Sequence, residues 1–329
     1  MKSKKTGDEF SLIRQLHAIL ESGYPTGKNV LCGIGDDAAW VRSSAKQQVI
    51  TTDAMVEGIH FDRRYMAFED IGYKSISVNV SDIAAMGADP SFAVIALQMD
   101  PQTGTKNIHA LYRGITKACR NYNVQIVGGN ISRSSAFSIT VTLIGNVAER
   151  NRPWLRSDAR IGDVIAVTGD LGGSAAGLMF YDRLKKKPAY AWQRHCRPDA
   201  RLEWAQILRR KNIRVHAAID ISDGLSSDLA HVCRASRCGA LIEAACIPVH
   251  AEIKKLSDVL KIDSMMWALH GGEDYELLLT MSPKEFVKAK KILKNNIHAI
   301  GTIVAGTSVV IADASGNRKT LEPAGFRHF

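Results

Sequence analysis

Five times along this chain an apolar run stops at carboxylates beside glycine or another small residue. The stretches are "GIGDDAAW" (33–40), "TTDAMVEGIHF" (51–61), "NVSDIAAMGADP" (79–90), "IDISDG" (219–224) and "GGEDYEL" (271–277). Runs that end this way read as buried elements delivering charged loops to one end of a layered fold, where rigid scaffolds place functional groups. Taken singly, each is what an ordinary turn or helix cap looks like. As a set, in a chain of 329 residues with a formal net charge of +10, they are harder to dismiss. Two like charges ~4 Å apart repel by about 4 kcal/mol at an effective dielectric of 20. Bound divalent cations relieve that cost, and Mg2+ prefers carboxylate, hydroxyl, water and phosphate oxygens. The pattern therefore points to metal-mediated phosphate binding, suited to phosphoryl transfer.

Other phosphate signatures fall away on inspection. Residues 33–38 fit G-x-G-x-x-G/A by letters, but the following "AAWVRSSAKQQ" reads as a short apolar patch and a polar loop, not the required helix. "GYPTGKN" has only three residues between Gly23 and Gly27, too few for a P-loop. The protein-kinase motifs and a G-x-S-x-G nucleophile are absent.

The length suggests two domains, with a boundary near the polar "ERNRPWLRSDARIGD", giving 1–150 and 151–329. In the first, apolar spacing predicts helices over Glu9 to Leu20 and around Ile108 to Cys119. Strands are predicted at Val30 to Ile34, Ala38 to Arg42, Gln48 to Thr52, Phe92 to Met99 and Ala136 to Val147. "KSISVNVSDIAAMG" is ambiguous between strand and helix. The second half alternates strands and helices, an α/β layer; Ser282, Pro283 and Glu285 form a capping box. The six cysteines show no zinc or disulfide spacing, and no apolar run spans a bilayer; a cytoplasmic protein without a membrane partner is expected. Basic side chains are scattered and not interleaved with aromatics, which speaks against a nucleic-acid partner.

In this order, "GIGDDAA", "TTDAMVEGIHF", "NVSDIAAMGADP", "IDISDGLSSDLAH" and "GGEDYELLLT" resemble the thiamine-monophosphate kinases of the aminoimidazole ribonucleotide synthetase-like superfamily, almost end to end. E-G-x-H-F together with G-G-E-D-Y-E-L is what sets the kinases apart within that superfamily. The resemblance implies an α+β N-terminal domain that binds ATP and Mg2+. Its mainly antiparallel sheet pairs with its twin in a homodimer, with the ATP site near the interface and residues 70–86 helical. An α/β layered C-terminal domain follows. It implies direct, in-line transfer of a phosphoryl group from ATP to thiamine monophosphate, with several Mg2+ ions. No covalent nucleophile or general base is needed, because the acceptor is already a phosphate anion.

Carried over by motif, Asp37, Thr51, Thr52, Asp53, Asp82, Asp220 and Asp223 match metal ligands. Tyr112, Gly129, Arg156 and Ser222 match nucleotide contacts, and His60, Glu273 and Phe326 match positions around the thiamine phosphate. Asn130 stands where the family's G-G-D-T-T has an aspartate that ligates metal, and is counted with both the metal and the ATP set. Restoring that charge with Asn130→Asp is expected to lower the Mg2+ concentration needed for activity. The alternatives are a ligase or cyclase of the same superfamily, which "EGIHF" argues against, a non-catalytic nucleotide or Mg2+ sensor, and a nucleic-acid binder motivated only by net charge.

Overall fold

A computed structural model of the chain describes residues 9–34, 39–43, 47–149 and 152–325. The chain divides into two units: residues 1–83 with 89–150, and residues 84–88 with 151–329. Asp36, Asp37 and Phe326 lie outside the described residues.

Unit 1 begins with α1 (Glu9–Gly23) and a small hairpin of β1 (Val30–Cys32) and β2 (Trp40–Val41). Then follow β3 (Gln47–Val56), α2 (Phe68–Ala85, whose last residues belong to unit 2), β4 (Asp89–Met99), α3 (Thr105–Tyr122), β5 (Gln125–Arg133) and β6 (Ser138–Val147). The sheet runs β3-β6-β4-β5, with β6 antiparallel to both neighbours and β4 parallel to β5. Strand alternation gives it two faces. Leu143, Val141 and Ile139 of β6 are buried, and Thr51, Asp53 and Met55 of β3 pair with them. The opposite face carries Ile50, 70% exposed, and Val94, 41% exposed, with Thr52, Ala54, Ala96 and Gln98 also open.

The ambiguous segment is helix α2, and the reason for its mixed signal is visible. Ile71, Ile76, Val80 and Ile83 are buried, but so are Lys74, Ser75, Ser77, Asn79 and Ser81. A helix enclosed on nearly all sides has no polar stripe to show a 3.6 period. Its polar groups bond inside: Ser75 Oγ to Gly72 O at 2.9 Å, Asn79 Nδ2 to Ser75 O at 3.0 Å, Lys74 Nζ to His60 O at 3.2 Å. The helices α2 and α3 meet backbone to backbone. A Cβ on Gly72 would lie 2.0 Å from Leu111 O, and one on Gly114 would lie 1.9 Å from Glu69 O.

Unit 2 contains β7 (Val164–Thr168), α4 (Gly173–Leu184), α5 (Ala189–Cys196), α6 (Leu202–Arg210), β8 (Ala217–Asp220), α7 (Leu225–Ser236) and β9 (Gly239–Glu243). It continues with α8 (Ala251–Leu260), α9 (Ser264–His270), β10 (Leu277–Met281), α10 (Pro283–Leu293), β11 (Ile297–Val304), β12 (Val309–Ala312) and β13 (Arg318–Thr320). The sheet order is β13-β12-β9-β11-β7-β10-β8, antiparallel throughout except for β9 and β12. β10, between β7 and the edge strand β8, is buried along its whole length, as expected of a strand covered on both faces. Ile165, Ile219 and Leu278 pack against Leu225, Leu229 and Val232 of α7, while α4, α5, α8 and α9 share a second core around Phe180 and Trp267. Ser282 caps α10, accepting the Glu285 N–H at 3.3 Å.

Candidate active site

In unit 1 the middle of β3 and the last turn of α2 bring three of the sequence-predicted residues together. Thr51 donates its hydroxyl to Asp82 Oδ2. Burial, and then the charge of Asp82, push the Asp53 carboxyl up to about 6. Asn79, which sequence reasoning missed, accepts the Asp53 N–H with Oδ1 at 3.2 Å and ties the strand to the helix. Its position three residues before Asp82 on one helix face was the available signal, hidden where periodicity alone left that segment ambiguous.

Thr52 points the other way. On the open face its hydroxyl lies 3.0 Å from Thr142 Oγ1 and 3.2 Å from Val141 O. Asn130 is exposed, pairs with Ala96 and donates Nδ2 to Ser132 Oγ at 3.0 Å. It sits on β5, the far edge of the sheet from β3, three strand spacings or ~14 Å away. Within one chain, Asn130 is thus not brought to Thr51, Asp53 and Asp82. Gly129 neighbours it on β5. Tyr112 lies on the inward face of α3, 7% exposed, and burial raises its hydroxyl to about 12.

His60 follows β3 in a turn, and its Nδ1 accepts the Val56 N–H at 3.1 Å. That bond places the proton of neutral His60 on Nε2.

Unit 2 builds its cluster where β8 meets α7. Asp220 closes β8, Ser222 and Asp223 form the loop, and Gly224, with φ +113°, caps α7. Asp228, also missed from sequence, reaches back from α7 to accept the N–H groups of Asp223 and Gly224, both at 3.1 Å. Burial, then Asp220 and Asp223, push its carboxyl up to about 8. Arg156 is exposed; its charge and that of Asp223 both act on His231, whose pKa burial and Arg156 lower. The C-terminal segment crosses the start of α7, with Gly325 N–H donating to Ser227 Oγ at 3.1 Å.

The "GGEDYEL" loop packs on this one, the Glu273 N–H bonding Ser222 O at 2.7 Å and the Tyr275 N–H bonding Ile221 O at 2.9 Å. Glu273 and Tyr275 both hold positive φ, +64° and +51°, a strained backbone that persists only where surroundings enforce it. The enforcement comes from Asp274 and Glu276, both fully buried. Asp274 accepts the Gly172 N–H at 2.7 Å, and Glu276 binds Thr168 Oγ1 and Arg194 Nη2 at 2.8 Å and Arg201 Nε at 2.6 Å. Burial would lower the pKa of Arg201, but Glu276 overcomes it and the net shift is upward. Ser174 Oγ lies 3.0 Å from His195 Nδ1 and donates to Glu273 Oε2 at 3.4 Å.

Burial pushes the Asp274 carboxyl up to about 7 from 3.8, against the opposing hydrogen bond from Gly172. A raised carboxyl binds its proton more tightly in the folded state. Its stabilising contribution is full below pH ~4 and is lost as pH rises to about 7, by up to ~4 kcal/mol. Asp274→Asn should therefore lose less stability than the wild type between pH 4 and pH 7. Urea midpoints at the two pH values measure this; equal losses would refute it.

Among the described residues, no three His, Cys, Asp or Glu side chains form a preformed metal cage. The oxygen donors present still fit a hard divalent cation. Asp53 beside Asp82, and Asp228 beside Asp220 and Asp223, are carboxylates whose ionised forms are disfavoured where they stand, which an added cation would reverse.

Residues 35–147 match the family model for the AIR synthase related protein, N-terminal domain, and residues 160–313 match that for its C-terminal domain. The chain is 37% identical to the thiamine-monophosphate kinase of Aquifex aeolicus (strain VF5), covering 100% of both chains. It is similar to the crystal structure of thiamine-monophosphate kinase from Stenotrophomonas maltophilia K279a (32% identity, TM-score 0.80, 92% of this chain and 96% of that one). It is likewise similar to AaThiL complexed with AMPPCP and TMP (34% identity, TM-score 0.78, 100% of this chain and 99% of that one). Matched along its whole length at this identity, the chain belongs to the thiamine-monophosphate kinase family.

Proposed function

We propose that the protein transfers the γ-phosphoryl group of ATP to thiamine monophosphate, forming thiamine diphosphate and ADP, the last step in making that product. The carrying observation is two sets of carboxylates, Asp53 near Asp82 and Asp228 near Asp220 and Asp223, in which burial and the neighbouring charges disfavour the ionised forms of Asp53 and Asp228, a cost that a bound cation would relieve. The known relatives named thiamine-monophosphate kinase support the choice of substrate.

In this reading an oxygen of the acceptor phosphate forms the new P–O bond. The bond between the γ-phosphorus and the bridging oxygen breaks, and ADP leaves with the electron pair. Bound Mg2+ ions would supply neutralisation of the phosphate charge. Thr51 and Asn79 hold Asp82 and the Asp53 backbone in place. Asp220 and Asp223 offer further oxygens, and Arg156 neutralises phosphate charge directly. Ser222 and Gly129 belong with the nucleotide. His60 donates Nε2–H to the phosphate of thiamine monophosphate, and Glu273, anchored by Ser174, lies with that substrate. A covalent nucleophile has no part in this. Purified protein given ATP, thiamine monophosphate and Mg2+ should yield thiamine diphosphate and ADP in equal amounts. ADP without thiamine diphosphate, or no product, would refute the assignment.

The same reading includes a homodimer formed through the open face of the unit 1 sheet, since exposed Ile50 and Val94 there are apolar. Val94→Asp is expected to give a monomer by analytical ultracentrifugation and at least ~10-fold lower kcat, because a charge in an apolar contact is costly. A dimer of unchanged activity would contradict the interface. A cytoplasmic setting also belongs to this reading. Among the described residues no helix is long and apolar enough to cross a membrane.

A further inference from the structure

At the opposite end of β8 from Asp220, unit 2 has a concave site of opposite charge to the carboxylate loop. A cavity of about 360 Å³ opens there, in the size range of small-ligand pockets. Arg152, Arg160, Arg209 and Arg214 line it, and Asp158 is the one carboxylate among the described lining residues. The strand has four residues, so the cavity and the carboxylate loop stand at ends ~10 Å apart along it.

Arg209 is built into the wall. Its guanidinium stacks 4.6 Å from the centroid of Trp154, and its Nη2 donates to Arg152 O at 2.7 Å. Two acids bonded to groups of the lining residues are already engaged. Asp163 accepts from His216 Nδ1 and from the Arg160 N–H, both at 2.9 Å, and Glu285 accepts the Arg214 N–H at 3.1 Å. Among the described residues no ion pair ties the guanidinium groups of Arg152, Arg160 or Arg214. Guanidinium stays protonated at any physiological pH, so these charges repel one another until an anion is present. Their forked N–H groups match phosphate oxygens, and Ile213 and Val215 add an apolar wall.

We propose that this cavity is an anion site that takes a small molecule bearing a phosphate or pyrophosphate group, held directly by guanidinium groups without a metal ion. It is separate from the carboxylate loops, which need a cation to hold phosphate, and it does not depend on the activity assigned above.

The probe is inorganic pyrophosphate in EDTA, followed by titration calorimetry, so that cation-dependent binding at the carboxylate loops is silent. Saturable binding to the wild type is expected, with the same affinity in Asp223→Asn. In the double variant Arg160→Gln, Arg214→Gln the affinity should fall at least ~10-fold, the loss expected for removing charge-assisted hydrogen bonds. Both arginines are exposed, so folding is not at stake. A second readout needs no variant: pyrophosphate should protect Arg152 and Arg160 of the wild type from phenylglyoxal. Absence of binding, equal affinity in the double variant, loss in Asp223→Asn, or unprotected arginines would each overturn the proposal. So would duplex DNA binding that the double variant abolishes while pyrophosphate fails to bind.

Discussion

Asp53→Ala is expected to lower thiamine diphosphate formation at least ~1000-fold, about 4 kcal/mol of barrier, while the protein stays folded. The two effects have one origin. Asp53 is held beside Asp82 by its strand, and burial with that neighbour raises its pKa to about 6. At pH 8 without metal the ionised carboxylate is a cost to the fold, so the variant in EDTA should melt no lower than the wild type. Mg2+ should stabilise the wild type and leave the variant unmoved. Thermal melts with and without Mg2+, beside the turnover assay, read both. A variant that melts well below the wild type in EDTA, or that keeps its activity, would remove Asp53 from the role given to it.

Glu276→Gln should destabilise the protein by roughly 3–5 kcal/mol, the usual consequence of removing one partner of a buried ion network. Glu276 is fully buried and meets two guanidinium groups, Arg194 at 2.8 Å and Arg201 at 2.6 Å. Glutamine would leave both cations facing a neutral amide, one side of which is itself a donor. Arg194 also bonds the Asp274 carbonyl, so the strained backbone of Glu273 and Tyr275 should relax with it. Urea unfolding measures the first effect, and a raised KM for thiamine monophosphate reports the second. A loss below ~1 kcal/mol would mean the network is dispensable.

Much of this was legible in the sequence because local patterns encode it. The spacing of Ile108, Leu111, Ile115 and Cys119 predicts α3, and alternation predicts the core of β6. The carboxylate motifs are local too: the charge of Asp82 acts on Asp53, and those of Asp220 and Asp223 act on Asp228. Buried polar partners were not legible. Asn79, Asp228, Asp274 and Glu276 are polar residues whose importance comes from enclosure, and enclosure depends on chain segments distant in sequence. The antiparallel order of the unit 2 sheet was hidden for the same reason, since alternation of strands and helices does not specify which strands pair. For Asn130, the family resemblance implies a place among the metal ligands, but sheet order puts three strand spacings between its strand and that of Asp53.

The central claim is that cations held by these carboxylates hold the phosphates. The most direct test is the rate of thiamine diphosphate formation from ATP and thiamine monophosphate as Mg2+ is titrated from an EDTA baseline. The account predicts no turnover in EDTA and a rise steeper than first order in Mg2+, as carboxylate sets on both units fill. Turnover that persists in EDTA would contradict it.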